Sequence, residues 1–380
     1  MTTVFDTGGG EPAAHLFAVG VGAYRHLTGG AQPLDHLRGV RLSQLSSPPL
    51  SARAVTDWFL TQLNNPEVPL GSAELLTSPA ETYRLPDGNE VDVEAATLAN
   101  IKAAFDRWLA RCDGREENIA LFYFCGHGLM REVVALLAED FGASSQRPFE
   151  SSVDFTMTFE GMARCKARRQ LYLVDACRQV MSSTLDLRRI DATALITGTF
   201  KRDGHRDAPI LYASAEDDRA YALPGHPTRM AEALVRGLSG LGSERVGGRW
   251  TITVRKLLQT VAEIISRENA PQAPMQQPRV EGEGSDLPTP LHYPKEAPEV
   301  GVTVGCRPDQ ATGAAELSLT AVRNPSQKHR RKPDPDPWKL NVAPGDYDVT
   351  ARFPGGEFAD SLPEQLLALP PFADHWVVVE

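Results

Sequence analysis

Two apolar runs, each followed by a reactive side chain, constrain the fold of this chain more than any other feature. Residues 118–124 and 171–174 consist almost wholly of apolar residues that favour strands. Such runs are typical of strands buried on both faces of a parallel sheet. Cys125-Gly126-His127-Gly128 follows the first run, and Asp175-Ala176-Cys177 follows the second. Because active sites in open parallel sheets lie at the carboxyl ends of strands, the pattern predicts a cysteine and a histidine at such a site.

Strand-like and helix-like patterns alternate along the first 280 residues. Residues 15–22 form an apolar run suited to a central strand, whereas residues 51–63, 93–112 and 254–265 carry apolar side chains at helical spacing. This alternation predicts right-handed crossovers and therefore an α/β domain of three layers around a mainly parallel sheet. Residues 178–208 are polar and rich in basic dipeptides, and we expect a mobile loop there.

Composition changes after residue 280. Residues 281–298 are rich in Pro and Gly, as expected of an irregular connector. Short β-favouring pieces separated by Gly and Pro then predict a small β-sandwich over 299–380. The chain is thus expected to comprise an α/β domain (1–280), the connector and the sandwich. A basic run at 328–332, bracketed by Pro, is interpreted as a solvated loop in preference to a binding patch.

Charge, hydropathy and cysteine usage exclude several classes of partner. A net charge of −10 removes the broad basic field that nucleic-acid binding needs. No segment approaches the ~20 apolar residues of a membrane span, and the amino terminus lacks the charged region of a signal peptide. The five cysteines form neither a disulfide framework nor a paired metal pattern. We therefore expect a cytoplasmic protein with no metal site, no cofactor, no nucleic-acid partner and no membrane partner.

A catalytic cysteine needs a base, because a thiol pKa near ~8.5 leaves little thiolate at neutral pH. Neighbouring parallel strands lie about 5 Å apart, so loops at two strand ends can bring His127 to Cys177. Gly126 and Gly128 permit a tight loop in which the backbone amides of Gly128 and Cys177 can stabilise an oxyanion. The alternative interpretation is that Cys177 is a small core residue, which is the usual role of a cysteine after a buried strand.

Phe124-Cys125-Gly126-His127-Gly128 and Val174-Asp175-Ala176-Cys177-Arg178 resemble the histidine and cysteine motifs of the caspase-like cysteine peptidases, which include caspases and metacaspases. In caspases the histidine lies about 50 residues upstream of the cysteine, as it does here. The resemblance covers roughly residues 16–279. It implies a caspase-like fold and an endopeptidase of protein substrates, in which Cys177 attacks and His127 transfers protons.

Asp175 is similar to the aspartate that metacaspases carry where animal caspases have glutamine, which implies cleavage after Arg first and Lys second. A carboxylate in the primary pocket would form charge-assisted bonds with an Arg guanidinium and would repel an acidic side chain. Asp217 or Asp218 is a candidate second pocket carboxylate, although a solvated acidic turn explains this pair equally well.

The segment after Cys177 corresponds in position to the one that many relatives cut during activation. With basic specificity, the candidate processing sites are Arg188, Arg189, Lys201, Arg202 and Arg206. The resemblance implies self-processing or an upstream activating protease, allows a role in bacterial stress or antiviral cascades, and leaves calcium dependence open. Two other functions fit the same motifs: a caspase-fold scaffold whose catalytic pair is unused, and a hydrolase of non-peptide substrates.

Overall fold

The computed structural model describes residues 2–38, 40–177, 179–180, 190–197, 206–214, 225–268, 276–284 and 289–380. In chain order, the elements up to residue 268 are β1 (Thr3–Asp6), β2 (Ala14–Val21), α1 (Ser47–Gln62), β3 (Leu70–Ser78), β4 (Glu81–Arg84), β5 (Glu90–Val93), α2 (Leu98–Cys112), β6 (Ile119–Gly126), β7 (Gly128–Met130), β8 (Val134–Leu137), β9 (Ser152–Asp154), α3 (Phe155–Gly161), β10 (Arg169–Ala176), β11 (Gln179–Val180), β12 (Ala208–Tyr212), α4 (Arg229–Arg236), β13 (Ser243–Val246), β14 (Arg249–Thr253) and α5 (Val254–Glu268). The remaining elements are β15 (Arg279–Glu283), β16 (Pro290–His292), β17 (Val300–Arg307), α6 (Gln310–Ala314), β18 (Glu316–Ala321), β19 (Lys328–Arg331), β20 (Trp338–Val342), β21 (Gly345–Arg352), β22 (Glu364–Ala368) and β23 (Phe372–Val378).

A seven-stranded sheet in the order β1-β3-β2-β6-β10-β12-β15 forms the centre of the first part of the chain. The five inner strands run parallel, and only the edge strands β1 and β15 are antiparallel to their neighbours. Every residue of β2 and β6 is buried, because helices flank the sheet. The predicted α/β fold with a mainly parallel sheet is therefore confirmed.

The register between β6 and β10 sets the positions of the two predicted reactive residues. Asp175 pairs with Cys125, and Ala176 pairs with Gly126 at the last position of both strands. His127 and Cys177 are the next residues along their strands. Both residues therefore leave the sheet at the carboxyl ends of its parallel strands, from neighbouring strands that lie about 5 Å apart.

Helix α1 begins earlier than the pattern of apolar residues predicts. Pro48 and Pro49 occupy its first turn, where their missing N–H groups cost no hydrogen bond, so the helix starts at Ser47. Ser51, at which the pattern of apolar residues begins, is instead buried within the helix, and its hydroxyl donates to the Ser47 carbonyl. Across the described ranges, no helix is both long enough and apolar enough to cross a membrane.

The stretch predicted to be an irregular connector contains strands. β15 pairs antiparallel with β12 at the edge of the central sheet, and β16 joins β13 and β14 in a three-stranded sheet. An edge position suits the polar sequence of β15, whose five residues are all exposed. Gly282 adopts a φ of 90° within it, which a residue with a side chain would resist. Composition alone therefore does not predict the strands β15 and β16 in the described part of this segment.

The chain divides into two compact units: Met1–Val235 with Val261–Pro290, and Arg236–Thr260 with Leu291–Glu380. Two sheets of the second unit, β20-β17-β23 and β19-β18-β21-β22, contribute buried residues to one hydrophobic cluster. The basic run 328–332 contains strand β19, which corrects its interpretation as a loop. Its side chains are largely exposed, as expected, but its backbone pairs antiparallel with β18. The predicted domain boundaries stay predictions.

Candidate active site

His127 lies between β6 and β7 and is held by the segment that follows β2. Its backbone N–H donates to the Tyr24 hydroxyl at 2.6 Å, and the centroids of the two rings lie 4.8 Å apart. Its Nε2 lies 2.7 Å from the carbonyl oxygen of Ser43. Because a carbonyl oxygen only accepts, this hydrogen bond places a proton on Nε2 and, in the neutral ring, leaves the Nδ1 lone pair available as a base.

Gln44 fixes the segment that carries the Ser43 carbonyl. Its Oε1 accepts from the backbone N–H of Tyr24 at 2.7 Å, and its Nε2 donates to the carbonyls of Tyr24 at 3.0 Å and Thr28 at 3.3 Å. One amide side chain thus binds both polar backbone atoms of Tyr24. Gln44 thereby fixes the position of the Ser43 carbonyl relative to Tyr24, and both Ser43 and Tyr24 contact His127.

The protonation state of His127 follows from its burial. Loss of water around the imidazolium lowers the pKa of His127 below its ordinary value, and the hydrogen bond to the Ser43 carbonyl opposes this shift. Burial is the larger effect, so the ring is neutral at pH 7. A neutral imidazole is the form that accepts a proton in general base catalysis.

Cys177 differs from the other four cysteines in its exposure. Cys112, Cys125, Cys165 and Cys306 are buried, whereas Cys177 is partly exposed at the end of β10. Burial raises the thiol pKa of Cys112 and of Cys125 well above the ordinary value, which suppresses the reactive thiolate. Cys177 therefore combines solvent access with a histidine at the end of the adjacent strand.

Gly128 brings the backbone of β7 against Cys177. A methyl group at Gly128 would lie 2.6 Å from the Cys177 carbonyl oxygen and 2.9 Å from the Ala176 Cβ, so a larger residue does not fit without movement of the backbone. Gly128 pairs with Leu136, while the N–H of Leu137 donates to the carbonyl of His127. In this register the Gly128 N–H points away from β8, toward the side of β7 on which β11 lies. The backbone N–H of Gly128 therefore makes no hydrogen bond to β8.

Asp175 lies within the protein, two residues before Cys177. It is 1% exposed, and its Oδ2 accepts from the Tyr123 hydroxyl at 2.8 Å and from the Thr228 hydroxyl. Burial raises the pKa of this carboxyl to about 6, against the hydrogen bonds from Thr228, Tyr123 and the Cys125 thiol. Among the described residues, no nitrogen or oxygen donates to its buried Oδ1. Asp175 is therefore a buried carboxylate with unused acceptor capacity.

Most of the other predicted site residues lie outside the described residues: Asp217, Asp218, Arg188, Arg189, Lys201 and Arg202. Arg206 is described, and its environment corrects its assignment as a processing site. It is 5% exposed, with Nε 3.2 Å from Glu283 and one terminal nitrogen donating to the Phe159 carbonyl at 3.0 Å. Its guanidinium also stacks 4.4 Å from the Phe159 ring. Because proteolysis needs an accessible segment, Arg206 is not a cleavage site in the folded chain.

Sequence reasoning missed the residues that surround the pair. Tyr24, Ser43 and Gln44 contact His127 or each other across the fold, and no motif marks them. The one available signal is position, since they follow β2, whose carboxyl end lies beside that of β6. Thr228, which bonds Asp175, lies just before α4 and gives no sequence signal either.

Comparison with family models identifies one family for this chain. A family model described as Caspase domain (Peptidase_C14) matches residues 71–283, more than half of the chain. The uncharacterized protein y4kE of Sinorhizobium fredii (strain NBRC 101917 / NGR234) is 30% identical over 233 residues, or 56% of this chain; these span 66% of that protein, just under two thirds of its length.

Two solved structures share 12% sequence identity with the chain. Caspase-1 from Spodoptera frugiperda superposes with a TM-score of 0.43, covering 75% of this chain and 90% of that one. The protein GSU0716 from Geobacter sulfurreducens superposes with a TM-score of 0.44, covering 75% and 100%. The family match itself includes both strands that end at His127 and Cys177. The chain therefore belongs to the caspase-domain family, Peptidase_C14.

Proposed function

We propose that the chain is a cysteine endopeptidase that uses Cys177 as its nucleophile and His127 as its base. One observation carries the proposal: the two residues directly follow a register pair, Gly126 with Ala176, at the ends of adjacent parallel strands. The exposure of Cys177 among otherwise buried thiols and the hydrogen bond that fixes His127 both support it. A thiol and an orientated imidazole at one edge form the pair that nucleophilic catalysis requires.

In the proposed reaction, Nδ1 of His127 accepts the thiol proton as Sγ of Cys177 attacks the scissile carbonyl carbon. The resulting oxyanion accepts hydrogen bonds from the backbone amides of Gly128 and Cys177. His127 then gives its proton to the leaving amine as the C–N bond breaks, which leaves a thioester on Cys177. Water attacks the thioester with His127 as base, the acid product departs, and the proton returns to the thiol.

Asp175 supports a preference for Arg, and then Lys, at the cleaved position. Its Oδ1 is an unused acceptor among the described residues, and its carboxyl is mostly ionised at pH 7 to 8 because its pKa is about 6. A guanidinium satisfies such a group by a charge-assisted hydrogen bond, whereas a substrate carboxylate would be repelled. Asp217 and Asp218 remain candidates for a second pocket carboxylate.

A peptide panel tests chemistry and preference together. Peptides that differ only in Arg, Lys, Gln or Asp at the cleaved position are incubated with the full chain and with Cys177→Ala and His127→Ala. We expect cleavage after Arg above Lys, and losses of about 10³-fold or more in both variants. Cleavage that persists in Cys177→Ala would contradict the mechanism, and a preference for Asp would contradict the pocket. A Cys177 that resists a thiol-reactive Arg peptide probe would instead favour a scaffold.

Activation by cleavage is the regulatory part of the proposal. Arg188, Arg189, Lys201 and Arg202 are the remaining candidate sites, to be cut by the enzyme itself or by an upstream protease in a bacterial stress or antiviral cascade. Intact-mass measurement of the wild type beside Cys177→Ala distinguishes these routes. Clipping of the wild type alone supports self-processing, and equal, unclipped masses on incubation count against it.

A further inference from the structure

The sheet β19-β18-β21-β22 of the second unit carries a basic groove of about 360 Å³ on its outer face. Five basic residues, among them Lys328, Arg330, Lys332 and Arg352, and the hydroxyls of Ser318 and Thr350 dominate its lining. Glu316 is the one carboxylate that lines it. The groove therefore has an excess of positive charge in a chain whose net charge is −10.

Strand register explains why these side chains converge. Arg330 pairs with Ser318, and Ser318 pairs with Thr350, so the three side chains form one row across the sheet. The two hydroxyls in that row are hydrogen-bonded at 2.6 Å. Lys328 lies two residues before Arg330 on β19 and points to the same face, about 7 Å away along the strand.

The charges of the groove are not neutralised within the described part of the chain. Lys328, Arg330, Lys332 and Arg352 are exposed, and none of them takes part in an ion pair among the described residues. Unpaired cations that line a concave surface focus a positive potential and attract anionic groups.

β19 also has backbone groups that its neighbour β18 does not use. It is the edge strand of its sheet as far as the chain is described. The N–H of Ala321 donates to the carbonyl of Gln327, which makes Thr320–Lys328 and Ser318–Arg330 non-hydrogen-bonded pairs. The backbone N–H and C=O of Arg330 therefore point away from β18, toward the open edge. Edge strands of this kind accept an extended peptide as an additional strand.

We propose that β19 binds an extended acidic segment of a partner protein as an added strand. Backbone hydrogen bonds form at Arg330, and carboxylates at every second position of the partner lie opposite Lys328 and Arg330. The two-residue period follows from the alternation of side chains along both strands. A peptide fits better than a nucleic acid because the groove is small and its edge offers backbone donors and acceptors.

Fluorescence anisotropy with two labelled peptides of equal composition tests this site on the full chain. One peptide alternates Glu with Thr or Val, and the other carries its Glu residues in one block. We expect the alternating peptide to bind about tenfold more tightly and to weaken with salt, and N-methylation of the amides that face β19 to abolish binding. Methylation of the intervening amides should have little effect.

Matched variants keep the test independent of catalysis. Arg330→Glu should weaken binding about tenfold, whereas Lys339→Glu, an exposed charge on β20 of the other sheet, should not change it. Thermal unfolding confirms that both variants fold. Equal binding of the two peptides, tighter binding of a DNA duplex, or no binding at all would overturn the proposal. In the last case the basic residues of β19 would serve to prevent edge-to-edge association.

Discussion

Two layers at the ends of β6 and β10, separated by the Gly126–Ala176 pair, contain similar groups in different environments. In the inner layer, Cys125 pairs with Asp175, and each is 1% exposed. In the outer layer, His127 and Cys177 are only half-buried. Each layer holds a thiol beside a titratable side chain, yet burial raises the thiol pKa of Cys125 far above the ordinary range. Depth along the strand, more than residue type, therefore separates a structural thiol from a proposed nucleophile.

The two titratable side chains, His127 and Asp175, share the effect of burial but have different hydrogen-bond partners. Both are biased toward the neutral form by burial, which lowers the pKa of His127 and raises the pKa of Asp175 to about 6. The imidazole is fixed by a backbone carbonyl, which leaves Nδ1 for chemistry. The carboxyl is held by two hydroxyls and the Cys125 thiol, and among the described residues no nitrogen or oxygen donates to its Oδ1. The proposed function places proton transfer in the outer layer and substrate selection in the inner one.

The largest expected effect comes from a comparison of two variants, each of which lacks one of the two thiols. Cys177→Ala should lower kcat/KM by about 10⁴-fold, because it removes the nucleophile, whereas Cys125→Ala should keep activity within about tenfold. Iodoacetamide with peptide mapping provides a second measurement: Cys177 should be alkylated in the folded protein, and Cys125 should not. Faster alkylation at Cys125 than at Cys177 would contradict the assignment of Cys177 as the reactive thiol and Cys125 as a structural one.

Gly128→Ala should displace the backbone around Cys177 while both reactive side chains, His127 and Cys177, remain present. The added methyl would lie 2.6 Å from the Cys177 carbonyl oxygen, so the backbone must move and misplace the proposed oxyanion donor. We expect kcat to fall about 10²-fold with little change in KM. Gly313→Ala is the matched control, since its methyl would meet only ordinary van der Waals contact at 3.6 Å. Full activity of Gly128→Ala would exclude this amide from catalysis.

The outer layer was predictable from sequence, and its surroundings were not. Strands buried on both faces are apolar throughout, so local pattern sufficed to place β6, β10 and the residues that follow them. Edge strands lack that signal, so composition predicts a connector from residue 281 onward, where the polar β15 ends. Tyr24, Ser43 and Gln44 act through contacts that only the folded chain creates, and the burial of Arg206 depends on Glu283 and Phe159 in the same way. Local patterns carry no information about such long-range pairs.

Asp175→Asn should separate recognition from chemistry in the inner layer. The ratio of kcat/KM for an Arg peptide to that for its uncharged citrulline analogue should fall about 10-fold to 100-fold, while citrulline cleavage persists. In the wild type the same ratio should fall as the pH decreases through about 6, because the carboxyl becomes protonated. The ratio cancels the titration of His127, which affects both peptides. An unchanged ratio in the variant would exclude Asp175 from the pocket.

The same substitution has a predicted effect on stability. The pKa of Asp175 in the folded chain, about 6, lies above its ordinary 3.8, so the folded state binds this proton more tightly than the unfolded state. This group therefore stabilises the fold least above pH 6, where the buried ion costs about 3 kcal/mol relative to low pH. Between pH 4 and 7 the wild type should lose unfolding free energy relative to Asp175→Asn. Asp106→Asn, at an exposed position on α2, is the control. Parallel pH profiles for Asp175→Asn and the wild type would contradict the burial argument.

The smallest expected effect concerns Gln44, which touches neither reactive residue. Gln44→Met keeps the length of the side chain and adds no charge near His127, but it removes the acceptor for the Tyr24 N–H and the donor to the Tyr24 and Thr28 carbonyls, so the Ser43 carbonyl should loosen. We expect kcat/KM to fall about threefold to tenfold, because the imidazole is less well orientated. Since the Ser43 carbonyl raises the pKa of His127, its loss should move the acid limb of the pH profile to lower pH. Gln62→Ala, at the exposed end of α1, should leave both quantities unchanged. A loss of activity with an unshifted acid limb would show that Gln44 supports only the local fold and does not act through His127.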